Sequence, residues 1–341
     1  LPKSNGSPMC VENTETHKIY CLGGWDNSSV FNDIVEYDPR TPDNNGAVKV
    51  KNAKLPVGLF YSGCVENSAT HKIYCLGGVE AWFGPSPWGQ GRRIIEYDPS
   101  APDNSADAVK VKFAILPNSS LFESPACAEN SATHKIYCFA SGIWTGHSGQ
   151  VIEYDPSAPD NNSAVKIKTP IPGSYGGAPA CAENTTNHNI YCFGGWTPLP
   201  LIFFTSRCPL NGPCDGTLDI IFSYDPTTDQ TTKRSVRMPQ ARFTTSFVEN
   251  CSTHRIYGIA GGSYFGYTKP IMEYYDQSPQ NAICPRGQPS TPVANATIST
   301  DNVTFQKSIT VFRGVPTTVY FSAANSSDPD WAANVTNGGK C

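Results

Sequence analysis

Apolar and polar positions alternate in short runs along most of the chain, and five stretches repeat one pattern. They are CVENTETHKIYCLGG from Cys10, CVENSATHKIYCLGG from Cys64, CAENSATHKIYCFAS from Cys127, CAENTTNHNIYCFGG from Cys181 and FVENCSTHRIYGIAGG from Phe247. Each predicts a β-hairpin. An alternating run enters a polar Glu-Asn-x-x-x-His turn and leaves through a β-favouring Ile-Tyr-Cys strand that stops at small residues, usually paired glycines. A loop of variable length follows, then a third strand ending in Tyr-Asp: IVEYDP at Ile34, IIEYDP at Ile94, VIEYDP at Val151, IFSYDP at Ile221 and IMEYYD at Ile271. In the first three units a Pro-Asp-Asn turn leads into a Val-Lys alternation, AVKVK at Ala47 and Ala108 and AVKIK at Ala164. Each unit therefore predicts four strands separated by Pro, Gly and Asn turn chemistry.

The hairpin histidines His17, His71, His134, His188 and His254 recur at roughly 50 to 70 residues, the span of a propeller blade. Two cysteines flank each of the first four turns symmetrically, so they face each other across the hairpin and predict the disulfides Cys10–Cys21, Cys64–Cys75, Cys127–Cys138 and Cys181–Cys192. The fifth copy replaces both at once, with Phe247 and Gly258. Cys208 and Cys214 bracket a tight CPLNGPC segment and form a fifth expected pair. Of the remaining three, Cys251 sits in the hairpin that lost its own pair and is matched to Cys284 after the same blade. Cys341 is left as a candidate for a bond to another molecule.

Strand, turn, Ile-Tyr-x-x-Gly-Gly, a loop and Glu-Tyr-Asp-Pro together resemble the kelch repeat of β-propellers, over about four-fifths of the chain. The resemblance implies an all-β fold: a kelch-like β-propeller with five recognisable four-stranded blades over residues 1–287. A β-rich C-terminal module, 288–341, follows as an irregular sixth blade or part of an Ig-like sandwich. Strand-like runs there span 297–304, 308–312 and 317–323. Two departures stand out. Kelch blades usually carry a tryptophan on the fourth strand, where this chain has Val-Lys-Val-Lys, a pattern that protects an exposed edge from pairing. The third repeat has Ala140-Ser141-Gly142 in place of paired glycines.

Galactose-oxidase-like copper enzymes also use such propellers, with two histidines, two tyrosines and a free cysteine at the metal. Here five of the six histidines occupy equivalent turns, only His147 is a unique loop histidine, and most cysteines are committed to pairs. No nucleophile elbow or zinc motif occurs. The expectation is a non-enzyme without cofactor or metal.

Composition narrows the setting. The 29 glycines and 29 prolines in 341 residues suit many tight turns, and a formal charge of −4 gives no electrostatic case for nucleic acid. No apolar run approaches the roughly 18 residues of a membrane helix. Thirteen cysteines in pair-like spacing and ten sequons point to secretion. The sequons are Asn5, Asn27, Asn118, Asn161, Asn184, Asn250, Asn295, Asn302, Asn325 and Asn334. Asn184 and Asn250 fall in predicted turns, where a glycan is carried without burial. Beginning at Leu1, the chain reads as a mature extracellular form with its targeting segment removed.

Antiparallel geometry sorts the turns onto two faces. One is repetitive, with the histidine turns beside Asp-Pro turns; hydrogen-bonded turns explain both better than a ring of metal ligands or calcium loops do. The other carries long aromatic loops and holds the candidate ligand or interface residues Trp82, Phe83, Trp88, Arg92, Arg93, Trp196, Phe203 and Phe204. Trp25 and Trp144 lie in matching loops. Together these features suggest an extracellular structural or adhesive protein that assembles with copies of itself through its C-terminal module. The alternative is a lectin-like propeller that stacks extracellular glycans on the aromatic face.

Overall fold

A computed structural model describes residues 8–26, 28–42, 45–80, 91–117, 124–141, 148–171, 179–195, 218–239, 241, 246–250, 253–259, 262–263, 266–267 and 271–276. Beyond these it describes the strand residues 297–300, 303–306, 317–320 and 332–335. The chain divides into two units, 1–280 and 281–341.

The first unit is an all-β, five-bladed propeller. Blade 1 is the antiparallel meander β1 (Met9–Asn13), β2 (Lys18–Leu22), β3 (Asp33–Tyr37) and β4 (Val48–Lys54). Blade 2 repeats it with β5 (Gly63–Asn67), β6 (Lys72–Leu76), β7 (Ile94–Tyr97) and β8 (Val109–Val111). Blade 3 has β9 (Ala126–Asn130), β10 (Lys135–Ser141), β11 (Ser148–Tyr154) and β12 (Val165–Lys168). Blade 4 has β13 (Ala180–Asn184), β14 (Asn189–Phe193), β15 (Ile220–Asp225) and β16 (Gln230–Arg237). In blade 5, β17 (Ser246–Asn250), β18 (Arg255–Ile259) and β21 (Met272–Tyr274) form a three-stranded sheet, beside the small β19 (Gly262–Ser263) and β20 (Gly266–Tyr267) pair.

The hairpin register sets each cysteine pair directly opposite: Cys10↔Cys21, Cys64↔Cys75, Cys127↔Cys138 and Cys181↔Cys192, all four disulfide-bonded with Cα–Cα separations of 4.0–4.1 Å. In blade 5 the same register pairs Phe247 with Gly258. A Cβ on Gly258 would lie 2.4 Å from the Phe247 ring, so the ring occupies the space that a second side chain would need. That ring stacks on Phe193 of blade 4 at 4.1 Å. The two substitutions are therefore one packing change.

Adjacent blades bury the middle strands on both faces. Tyr20, Leu22 and Ile34 of blade 1 pack against Ile73, Cys75, Ile95 and Tyr97 of blade 2, and equivalent clusters join blades 2 to 3, 3 to 4 and 4 to 5. Burying side chains of this size contributes about 1.5–3 kcal/mol each. At every boundary the tyrosine of Ile-Tyr-Cys meets the third-strand tyrosine of the next blade. The pairs are Tyr20–Tyr97, Tyr74–Tyr154, Tyr137–Tyr224 and Tyr191–Tyr274, with centroids 5.4–5.7 Å apart.

The paired glycines work as their position suggests. Gly23 has φ +63°, and a Cβ there would sit 2.0 Å from the Leu59 carbonyl oxygen, while Gly24 N–H donates to that same oxygen. Where blade 3 lacks the pair, β10 runs on to Ser141 and shifts register against β11 at Ala140/Ser141. Asp98, Asp155 and Asp225 close their turns by accepting from the N–H two residues on, as Asx-turns do.

In the second unit the structure describes two hairpins, β22 (Thr297–Thr300) with β23 (Val303–Gln306) and β24 (Thr317–Tyr320) with β25 (Ala332–Val335). The expected single run over 297–304 is thus two paired antiparallel strands, and the run 308–312 lies outside the described residues.

Each hairpin disulfide closes a loop of eleven residues, worth about 3 kcal/mol in the loop-entropy account. The double substitution Cys64→Ser/Cys75→Ser is expected to lower the unfolding free energy by about that amount. Urea unfolding under non-reducing conditions measures it, and an unchanged midpoint would show that the bond does not constrain the unfolded chain.

Candidate functional site

On the face of the histidine turns, one motif is repeated at each blade boundary. Each turn histidine adopts a left-handed conformation, φ 52–56°, and its N–H donates to the asparagine carbonyl four residues earlier at 2.7–2.8 Å. The asparagine side chain then crosses to the next blade. Asn13, Asn67, Asn130 and Asn184 donate through Nδ2 to the carbonyl oxygens of His71, His134, His188 and His254 at 2.7–3.3 Å. The glutamate of the next blade reaches back. Oε1 of Glu66, Glu129, Glu183 and Glu249 accepts the N–H of Thr14, Ser68, Ser131 and Thr185 at 2.8–2.9 Å, and their hydroxyls at 3.1–3.2 Å. Its own turn histidine approaches the same oxygen through Nδ1 at 3.0–3.3 Å. The histidines are therefore parts of a clamp between blades. Among the described residues no group of three or more His, Cys, Asp or Glu is arranged to hold a metal.

A second set of bonds runs round the periphery, and sequence reasoning missed it. Glu36 and Glu96 of the third strands are buried beneath two lysines each, and Glu153 beneath three, Lys166 adding a contact at 3.6 Å. Lys18, Lys72 and Lys135 approach from the second strand at 2.7–3.0 Å, and Lys51, Lys112 and Lys168 from the outer strand at 3.1–3.5 Å. The outer lysines also face Asp103, Asp160 and Asp229 of the following blade at 3.6–3.8 Å. Asp103 accepts the N–H groups of Asn52 and Ala53, and Asp160 that of Ala114. The Val-Lys strands are outermost in their blades, as expected, but their alternate lysines point inward. Blade 4 has Ser223 at the glutamate position and uses Arg234 instead, paired with Asp276 of blade 5 at 2.6 Å.

The loop face is described most fully at blades 1 and 2. Phe60 lies 6.0 Å from Trp25 and 5.0 Å from Tyr61 between ring centroids, and bridges to Val79. Tyr61 has φ +57°. Among the described residues it is the one non-glycine residue in that region outside a hairpin turn, and the conformation costs about 1–2 kcal/mol. Arg92 and Arg93, candidate ligand or interface residues, have partners within the chain. Arg92 Nε donates to the Leu116 carbonyl at 2.7 Å, and Arg93 pairs with Glu80 at 2.9 Å. Burial of Glu80 outweighs that arginine and pushes its carboxyl up. Trp82, Phe83, Trp88, Trp196, Phe203 and Phe204 lie outside the described residues, as do Cys208, Cys214, Cys251, Cys284 and Cys341.

The sequons separate by environment. Asn161 is exposed, with Oδ1 accepting from Ser163 N–H, and Asn250 is exposed at the end of β17. Asn184 corrects the expectation of an open turn. It is 5% exposed, and its Nδ2 is committed to His254 of the next blade, so a glycan there is incompatible with the folded seam. Asn334 lies on β25, and the other six sequons are outside the described residues.

The Kelch motif matches residues 16–42 of the chain, from the first histidine turn through the third strand. The chain thus carries a Kelch motif in its first blade and folds as a five-bladed β-propeller. The solved structure of YjhT aligns with a TM-score of 0.52 at 15% identity, covering 78% of this chain and 80% of that one, a likeness of fold alone. No curated protein matches the sequence. Among the described residues no helix is long and apolar enough to cross a membrane.

The peripheral carboxylates make stability depend on pH. Burial opposes ionisation of Glu36, Glu96 and Glu153, but their paired lysines outweigh it and hold each carboxyl below its ordinary 4.5. A lowered folded value means the stabilisation is complete above 4.5 and is lost as pH falls through the folded value. Glu129, which burial pushes up, opposes this trend, but it is outnumbered. Stability is therefore expected to fall below about pH 4.5. Glu153→Gln should cost about 1–3 kcal/mol at pH 7 and flatten the acid limb. Thermal unfolding from pH 3 to 7 tests both, and parallel curves for the two proteins would remove Glu153 from the account.

Proposed function

We propose that this chain is an extracellular, N-glycosylated, non-catalytic propeller with a structural or adhesive role, and that it associates with copies of itself. The observation that carries the proposal is apolar surface on blade 5, where Val248, Ile271 and Tyr275 are each more than half exposed. The three residues lie on or beside the strands of one three-stranded sheet, and exposed apolar surface favours burial against a partner. Four hairpin disulfides and an accessible sequon at Asn161 favour an oxidising, secretory setting. The repeated Glu, His, Lys and Asp side chains are spent on joining blades, which favours a scaffold over a catalyst. For chain expressed through a secretory route, sedimentation velocity should show species heavier than one glycosylated monomer, growing with concentration. A single monomeric species at the highest concentration would defeat self-association.

A second function is supported by the loop face: binding of an extracellular carbohydrate, with Trp25 and Tyr61 as stacking surfaces. The strained Tyr61 beside Phe60 and Trp25 favours it, since left-handed side chains outside turns concentrate at binding sites. On a glycan array, binding by the full chain that weakens at least about tenfold in Trp25→Ala, some 1.4 kcal/mol, is the expected result. An empty array, or binding indifferent to Trp25, would leave the scaffold role alone.

A further inference from the structure

Blade 2 leaves its outermost strand through an exposed apolar strap. After β8, Phe113 is 83% exposed and Ile115 38% exposed, while Ala114 and Leu116, which alternate with them, are fully buried. Blade 3 holds this strap from the side. Asp160 Oδ1 accepts the N–H of Ala114 at 3.1 Å, and Asn162 Oδ1 accepts that of Ile115 at 3.2 Å. Asn161 stands between these two residues, its Cα about 3.8 Å from each of theirs. It is exposed, its Oδ1 takes the N–H of Ser163, and Asn161-Asn162-Ser163 is a sequon. A glycan acceptor and an uncovered aromatic ring of the neighbouring blade therefore share one seam.

The other repeats supply the comparison. Asp103 holds the blade 1 strap as Asp160 holds that of blade 2, accepting the N–H groups of Asn52 and Ala53. On that strap the places of Phe113 and Ile115 are taken by Asn52 and Lys54, both exposed and polar. The turn beside them reads Asp103-Asn104-Ser105-Ala106, which lacks the hydroxyl two places after the asparagine. Between blades 3 and 4, Asp229 accepts the N–H of Thr169, which Pro170 follows. The turn there continues Gln230-Thr231, with no asparagine. Of these three straps, the one with large exposed apolar side chains is the one that lies beside a sequon.

We propose that Asn161 carries an N-linked glycan whose first N-acetylglucosamine rings lie over Phe113 and Ile115, joining blades 2 and 3 at their outer strands. The inference rests on the N-glycosylated reading above and gives one of those glycans a binding site on the chain. In the transfer, Asn161 Nδ2 attacks C1 of a polyprenyl-diphosphate-linked oligosaccharide. The Nδ2–C1 bond forms as the C1–O bond breaks, the diphosphate leaves with the bonding pair, and the amide gives up one proton to a base. The sugar ring then offers a face of C–H groups to the phenylalanine while its hydroxyls stay in water.

Full-length chain made through a secretory route tests both the attachment and the packing. Peptide mapping should find Asn161 occupied. Hydroxyl-radical footprinting should show Phe113 oxidised more slowly in the parent than in Ser163→Ala, which removes the sequon. In urea unfolding the glycan should raise the folding constant of the parent over Ser163→Ala about threefold to tenfold, the worth of one aromatic contact. In a Phe113→Ser background the same comparison should shrink to within about twofold. Both positions are exposed, so the variants without sugar should fold like the parent. An occupied Asn161 with Phe113 oxidised equally in both proteins, or a glycan effect indifferent to Phe113, would overturn the contact while N-glycosylation stands. An empty Asn161 beside other occupied sequons would overturn it as well. A chain of bare sequence mass would defeat the inference and the N-glycosylated reading together.

Discussion

A carboxylate lent across a blade boundary is the interaction on which the propeller unit depends. A four-stranded meander with apolar residues on both faces cannot be stable in water by itself. Its Ile-Tyr-Cys strand has Ile73 and Cys75 facing one neighbour and Tyr74 facing the other, all nearly fully buried. Apolar burial draws blades together but does not fix how far one slides over the next. The glutamate does. Its Oε1 meets an N–H and a hydroxyl on a turn that the left-handed histidine and the asparagine hold in one shape, so the sheets engage in a single register. The cost of leaving such a buried acceptor unmet, about 1–3 kcal/mol, makes any other register unfavourable.

The cysteines belong to the same logic. They lie on the strand pair next to the glutamate turn and face the preceding blade, where Cys64 and Cys75 join the cluster with Tyr20 and Leu22. A disulfide there is a compact apolar filler as well as a covalent clip. That is why its loss in blade 5 is answered by an aromatic ring over a glycine rather than by two small residues. One side of the pair has to grow as the other shrinks, since the gap to Phe193 has a fixed depth.

The fold was legible because repetition turns weak signals into strong ones. A single Glu-Asn-x-x-x-His turn says little; five in register fix the hairpins, the cysteine partners and the order of strands in each blade. What could not be read is what depends on distance between repeats. Asn184 looked like an open turn asparagine because a sequon is local, while the carbonyl of His254 that captures its amide is seventy residues away. Lys51, Lys112 and Lys168 looked like edge protection because alternation along a strand shows which side chains share a face, not that a buried carboxylate lies beneath that face. The partners of Arg92 and Arg93 could not be read for the same reason, since Leu116 and Glu80 reach them only once the loops are folded together.

The division of labour between the two faces follows from these bonds. On the face of the histidine turns, those turns carry the connections between blades, so a change of length or residue in them would break a seam. On the opposite face the loops leave the strands through paired glycines, whose backbones meet at Gly23 and Leu59 and close the blade before the loop begins. Loop residues beyond that point are under no obligation to the core. They can lengthen, as between β14 and β15, or hold a strained aromatic such as Tyr61, without disturbing the register below.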